Sequence, residues 1–197
     1  MKALSELDKR PIIVAIAGPN GAGKTSFHRA HIQYAGLRYI EADAFARELN
    51  MDAYAAAKMA DALRRSLLKQ RESFVFETVF SDPVGEKLQF LEEAAGSGYT
   101  VVLCFIGLAG SELSEDRVAM RVSQGGHDVP TEKLKSRYPR ILANLKAAIL
   151  RLPLVYVFDN SDLSRPFRKV TVFKRGEQVY KSEPVPAWLK PLTTRSH

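Results

Sequence analysis

The chain has 197 residues, is 46% hydrophobic and 26% charged, and carries one cysteine. Those values exclude a disordered or collagen-like chain, and the lone Cys104 excludes an intrachain disulfide and fits a reducing compartment. The formal net charge of +7 is unevenly placed: residues 1–100 hold thirteen Lys/Arg and thirteen Asp/Glu, whereas residues 101–197 hold sixteen against nine. A basic second half points to a polyanion partner, whether nucleic acid, a membrane surface or a phosphorylated small molecule.

Lys9-Arg10 followed by Pro11–Ala17 imitates a secretion signal with an Ala-x-Ala end. Its apolar run is short and a glycine-rich loop follows directly, so a buried parallel strand over about 12–17 is expected instead. No run approaches the roughly 18–20 apolar residues of a membrane span, and a soluble, cytoplasmic protein without a membrane partner is expected. The pattern then predicts a helix over 23–34, a short strand over 38–41, and helix over 44–71 with a break near Asn50-Met51-Asp52. A buried strand follows over 73–77, and Asp82-Pro83 resembles an N-cap with proline at the first helical position, opening a helix to about Ala95. The most apolar strand covers 99–106. A helix with early acids comes next, stopping at Gly125-Gly126, and then a helix over 131–151 that Pro139 is expected to kink or split. Leu154–Phe158 closes the alternating set, and the tail adds a hairpin around Arg175-Gly176-Glu177. This alternation predicts one domain over 1–197: an α/β, three-layer fold with a mainly parallel five-stranded sheet and a small C-terminal β-hairpin within 165–197.

Gly18-Pro19-Asn20-Gly21-Ala22-Gly23-Lys24-Thr25, with Ser26 after it, satisfies Gly-x4-Gly-Lys-Thr between a strand and a helix. In such a P-loop the backbone N–H groups cradle phosphate, Lys24 faces the β/γ oxygens and the Thr25 hydroxyl can ligate Mg²⁺. ATP and Mg²⁺ are therefore the expected cofactors. Two strand-end acids compete for the second nucleotide role: Asp159 after Leu154–Phe158, and Glu77 after Phe74-Val75-Phe76. Neither offers the Asp-Glu pair of a motor ATPase, and a small P-loop kinase fits the length better.

A kinase acting on a hydroxyl needs a carboxylate at the acceptor. Asp43 is the candidate base, with N-capping of the following helix as the alternative role and Glu41 as the fallback. Glu77 and Thr78 are candidate substrate-binding groups for a sugar or polyol. Arg47, Arg64 and Arg65 are expected to be solvated or structural. Residues 117–140 form a basic, helical lid in which Arg121 and Arg137 are the expected phosphate clamps and Arg117, Lys133 and Arg140 the substitutes. His127 is expected to fix the lid loop, His28 and His31 to bind no metal, and Trp188 to pin the tail to the body, the alternative being a partner-binding tail.

The P-loop, the Asp43 segment, Phe76-Glu77-Thr78, and Arg121–Pro130 followed by Arg137-Tyr138 together resemble the zeta toxin family of P-loop kinases, in its shorter branch. The resemblance implies an ATP-dependent phosphotransferase whose acceptor is the sugar 3′-hydroxyl of a UDP-activated amino sugar, and an antitoxin protein as partner. It places Lys24 and Thr25 on phosphate and Mg²⁺, Asp43 as the base, Glu77 and Thr78 on the sugar nucleotide, and Arg121 and Arg137 on phosphates. Glu41 departs from the family in standing where asparagine is common. Two alternatives remain open. One is a kinase for an antibiotic, a simple sugar or a polynucleotide end. The other is a nucleotide-switched RNA- or protein-binding module, against which the lid's basic residues lack interleaved aromatics for base stacking. Triphosphate handling accounts for the basic lid more economically than a nucleic-acid partner does.

Overall fold

The computed structural model describes residues 4–123 and 129–193. Strand β1 (Ile12–Ala17) is an unbroken apolar run and is buried at all six positions. Only a strand covered on both faces tolerates that pattern, and β1 accordingly lies between β3 (Phe74–Thr78) and β4 (Thr100–Gly107), parallel to both. Strand β2 (Arg38–Ile40) extends the sheet beside β3, and β5 (Leu154–Asp159) extends it beside β4, giving five parallel strands.

The sheet does not stop there. Strand β6 (Arg168–Lys174) pairs antiparallel with β5, and β7 (Glu177–Lys181) pairs antiparallel with β6, so the order is β2-β3-β1-β4-β5-β6-β7. The expected five-stranded sheet with an appended hairpin is thus one seven-stranded sheet. The cause lies in β6, whose run Val170–Phe173 is buried and joins the common core. Strand β7 is exposed along its whole length, and a register shift at Val172/Phe173 bends the β6–β7 pair.

Helices cover both faces of the sheet. Residues of alternating direction such as Ile13, Phe74, Phe76 and Phe105 pack with Leu67 of α3 (Ala53–Lys69), Leu91 of α4 (Glu86–Gly96) and Leu145 of α6 (Thr131–Arg151). The other set, including Val14, Ile16, Val75 and Cys104, packs with Phe27 of α1 (Lys24–His31) and with Leu4 and Leu7. Burial pushes the Cys104 thiol well above its ordinary pKa, which makes it an inert core residue.

Most boundaries follow the sequence pattern, with two exceptions. The break at 50–52 is real: α2 (Ala42–Glu48) ends, and Asp52 caps α3 by accepting from the Tyr54 and Ala55 amides at 2.8 and 3.0 Å. Asp82-Pro83, by contrast, does not open a helix. Asn144 donates to the Phe80 and Asp82 carbonyls at 2.9 and 3.0 Å, holding this stretch as a loop, and α4 starts only after Gly85. Nor does Pro139 split α6, which runs unbroken over 21 residues. Its apolar face, through Leu134, Ile141, Leu145 and Ile149, is buried along that length and offsets the missing backbone donor.

The tail folds back as expected. Trp188 is 8% exposed, and its indole occupies the space beside Gly107, where a Cβ would lie 2.1 Å from a ring carbon. The last described helix, α7 (Lys190–Thr193), follows. Among the described residues, no helix is long and apolar enough to cross a membrane.

Candidate functional site

The C-terminal ends of β1, β2 and β3 open into one cleft of about 620 Å³, the place where parallel α/β sheets hold ligands. The glycine-rich loop forms one wall. Gly18 has φ 147°, and a Cβ there would meet the Ile106 carbonyl oxygen at 2.2 Å. At Gly21 (φ 73°) a Cβ would lie 2.9 Å from the Arg117 side chain. Packing thus shuts side chains out of the loop at both positions. Around it, Ser114 of α5 (Ser111–Ser123) donates to the Asn20 carbonyl at 2.6 Å, and Asn160 donates to the Ala22 carbonyl at 2.9 Å.

Lys24 Nζ donates to the Gly18 and Pro19 carbonyls, each at 3.0 Å, which aims the ammonium into the loop it follows. Burial lowers its pKa; Glu77 and Asp43 oppose that shift, and Arg121 adds to it. One charge network therefore joins the loop, the ends of β2 and β3, and α5.

The two strand-end acids have different surroundings. Thr25 Oγ1 lies 3.3 Å from Glu77 Oε2 and 3.5 Å from Glu41 Oε1, so its hydroxyl is shared between two carboxylates. Tyr39 donates to the other oxygen of Glu77, and its ring stacks on His28 at 3.9 Å. Burial pushes the Glu41 carboxyl above its ordinary range, and the neighbouring Glu77 and Asp43 charges push it further. Asp159 instead accepts from Trp188 Nε1 at 3.0 Å and from Ser161 Oγ at 2.6 Å, and sits 3.7 Å from Arg168. Of the two competing acids, Glu77 stands at the P-loop threonine and Asp159 is occupied with the tail.

Asp43 lines the cleft from the first turn of α2. It does not cap the helix, because the cap position falls to Glu41, whose side chain makes no capping bond and faces Thr25. Thr78 also lines the cleft, while its Oγ1 accepts from the Phe80 amide at 3.0 Å. Arg121 and Arg137 both line the cleft, as do Arg117 and Lys133; Arg140 is exposed and outside it. Arg117 reaches across to the Ser161 carbonyl at 3.3 Å. His127 and the Gly125-Gly126 stop lie outside the described residues.

Sequence reasoning missed Tyr39 and Lys87, and it left Arg64 open between a solvated and a structural role. Tyr39 gave no signal beyond alternation within a three-residue strand. Arg64, expected to be solvated or structural, is 5% exposed and not solvated; it donates to Asp61 and lines the cleft with Lys87. An arginine on an otherwise Ala- and Leu-rich helix face was the available clue.

The sequence profile of the zeta toxin family matches residues 38–171. The chain belongs to the zeta toxin family. The P-loop lies just outside the matched segment, and the fold joins it to Glu41, Asp43 and Glu77 within that segment. An uncharacterized protein of Haemophilus influenzae is 29% identical over 126 residues, an alignment covering 61% of this chain and 88% of that one. A structure from the PezAT chromosomal toxin–antitoxin system of Streptococcus pneumoniae superposes with a TM-score of 0.62 at 18% identity, covering 91% of this chain and 76% of that one. An AvrRxo1-ORF1:-ORF2 complex with ATP superposes with a TM-score of 0.58 at 18% identity, covering 88% and 62%. The fold of this zeta toxin family member is thus that of a P-loop kinase.

Proposed function

We propose that this protein is an ATP-dependent phosphotransferase that moves the γ-phosphoryl group to a hydroxyl of a small molecule, a UDP-activated amino sugar being the first acceptor to test. The observation that carries the reading is the meeting of Lys24, Thr25, Asp43, Glu77, Arg121 and Arg137 on one cleft at the ends of β1–β3. The residues fit a triphosphate: the loop around Gly18 and Gly21 excludes side chains, and Lys24 is held within it. They also fit Mg²⁺, a hard cation that favours oxygen ligands, because Thr25 offers a hydroxyl backed by two carboxylates. Bound with the triphosphate, that ion would supply charge neutralisation at the β/γ oxygens and would be held by Thr25, with Glu41 and Glu77 behind it.

Within this reading the chain's own groups divide the work. Gly18, Asn20, Gly21, Ala22, Gly23 and Ser26 shape the phosphate cradle with Lys24 and Thr25. Asp43 orients the acceptor hydroxyl and takes its proton as the new P–O bond forms. Glu77 holds Thr25 in place through one oxygen and Tyr39 through the other, and with Thr78 borders the acceptor's part of the cleft. Arg121 and Arg137 balance the charge that spreads over the phosphoryl oxygens. Family membership adds a protein antitoxin as the partner to seek.

The test is a mass-spectrometric screen of hydroxyl compounds, UDP-amino sugars included, incubated with the protein, ATP and Mg²⁺. A phosphate mass increment on one acceptor is expected. Asp43→Asn should abolish that increment while binding of a non-hydrolysable ATP analogue survives. Full transfer by Asp43→Asn would remove Asp43 from the mechanism, and ATP consumption with no acceptor modified would replace the kinase by a bare ATPase or switch.

A further inference from the structure

The part of the cleft bordered by α3 and the start of α4 holds a charge arrangement that the phosphoryl-transfer groups do not use. Arg64 donates to Asp61 one turn before it and lies over the Phe76 ring, with the guanidinium carbon 4.8 Å from the ring centre. Lys87, at the start of α4, donates to both oxygens of the same carboxylate at 2.9 and 3.1 Å. Two cations from separate helices thus converge on one anion, leaving one net positive charge. Arg64 and Lys87 also line the cleft that contains Lys24 and Asp43. Burial by itself would raise the Asp61 carboxyl, but hydrogen bonding from Lys87 and the charge of Arg64 overcome it and leave Asp61 below its ordinary pKa. Asp61 therefore stays anionic and fixes both cations in place.

Arg64 carries five N–H donors in a planar fork, and burial against Phe76 holds that plane still. A buried guanidinium costs desolvation, and one carboxylate shared with a lysine compensates only part of its charge. A second anion arriving through the cleft completes the balance. Ala57 and Ala60, on the cleft side of the same helix, leave room for it.

We infer that Arg64 and Lys87 form an acceptor subsite that recognises an acidic group, a phosphate or carboxylate, on the molecule whose hydroxyl is presented to Asp43. The inference rests on the phosphotransferase reading and narrows its acceptor to anionic hydroxy compounds. A UDP-activated amino sugar, a sugar phosphate and a sugar acid share the required chemistry; an uncharged sugar or polyol lacks it.

Isothermal titration of the full chain, with a non-hydrolysable ATP analogue and Mg²⁺ present, tests the assignment. The probes are UDP-N-acetylglucosamine, glucose 6-phosphate, gluconate and neutral N-acetylglucosamine. At least one acidic probe should bind tenfold or more tightly than the neutral sugar, and which one does so distinguishes diphosphate, monophosphate and carboxylate. Lys87→Met, at a partly exposed position and with its fold checked by the melting temperature, should weaken that binding about tenfold, in line with loss of one charge-assisted bond. It should also raise the KM of any acceptor found while leaving kcat and the KM for ATP unchanged. Arg64→Lys should retain more of the affinity than Arg64→Gln. Equal binding of the neutral sugar, binding by none of the acidic probes, or unchanged affinity in Lys87→Met would each overturn the subsite. Failure of the parent reading looks different: the wild-type chain would then not bind the ATP analogue, or would transfer phosphate to nothing.

Discussion

Glu77 and Asp159 begin from the same local circumstance and end in different trades. Each is the acid at or next to the end of a buried parallel strand, and each is preceded by an apolar run ending in phenylalanine. Around Glu77 the neighbours are Thr25 at the start of α1 and two further carboxylates, all on an open cleft, with the Tyr39 hydroxyl bonded from behind. Around Asp159 they are an indole N–H, a serine hydroxyl and an arginine, which close it off. A carboxylate whose donors come from the tail is a structural fastener. One that shares its donors with other carboxylates is electrostatically uneasy, and such sites gather where charge must be handled. The contrast is set by what folds beside each strand rather than by the strand itself.

Four substitutions can break or sharpen this contrast. Trp188→Ala should have the largest effect, lowering stability by about 3–5 kcal/mol as for other buried tryptophans, since it empties the space beside Gly107 and strips Asp159 of a donor; chemical denaturation measures it. Glu77→Gln should cut phosphoryl transfer by about 100-fold, roughly 2.7 kcal/mol of barrier, with the melting temperature held or raised. If that variant melts early and works normally, Glu77 is the fastener instead. Asp159→Asn should reverse the pattern, losing about 1–3 kcal/mol of stability through weakened bonds to Trp188, Ser161 and Arg168, with kcat little changed. Smallest is Glu41→Gln. Because folding raises the Glu41 pKa, the unfolded chain ionises first, and the destabilisation from this group is complete only above the folded pKa. The amide should therefore raise the melting temperature at neutral pH, and the gain should vanish as the pH falls below the ordinary carboxylate range. A melting series from pH 3 to pH 8 would show whether it does.

How far these positions could be read from the chain varies for physical reasons. The five parallel strands and the phosphate loop were plain, because β1 is apolar on both faces and the motif spacing is local. That Asp43, Arg121 and Arg137 line the same cleft as the loop was also accessible, since loop–strand–helix order places them. Local patterning failed where distant groups decide. Asn144, more than 60 residues away, holds the Asp82 loop open, and a buried face carries α6 through Pro139. The role of β6 depended on pairing with β5, which its own residues do not announce. Arg64 was the hardest: it packs on Phe76 and shares Asp61 with Lys87, neither of which is near it in sequence.

The open rims of the sheet carry one more consequence. At one rim β2 is only three residues long; at the other, β7 is exposed throughout, with charged residues at both ends, and its pairing with β6 is bent by a register shift. Lys169 also lies 4.6 Å over the Tyr180 ring and covers its apolar surface. Short length, terminal charge and a bent partner are the features that discourage strangers from docking as an extra strand. Both rims are therefore poor templates for growth of the sheet by strand addition.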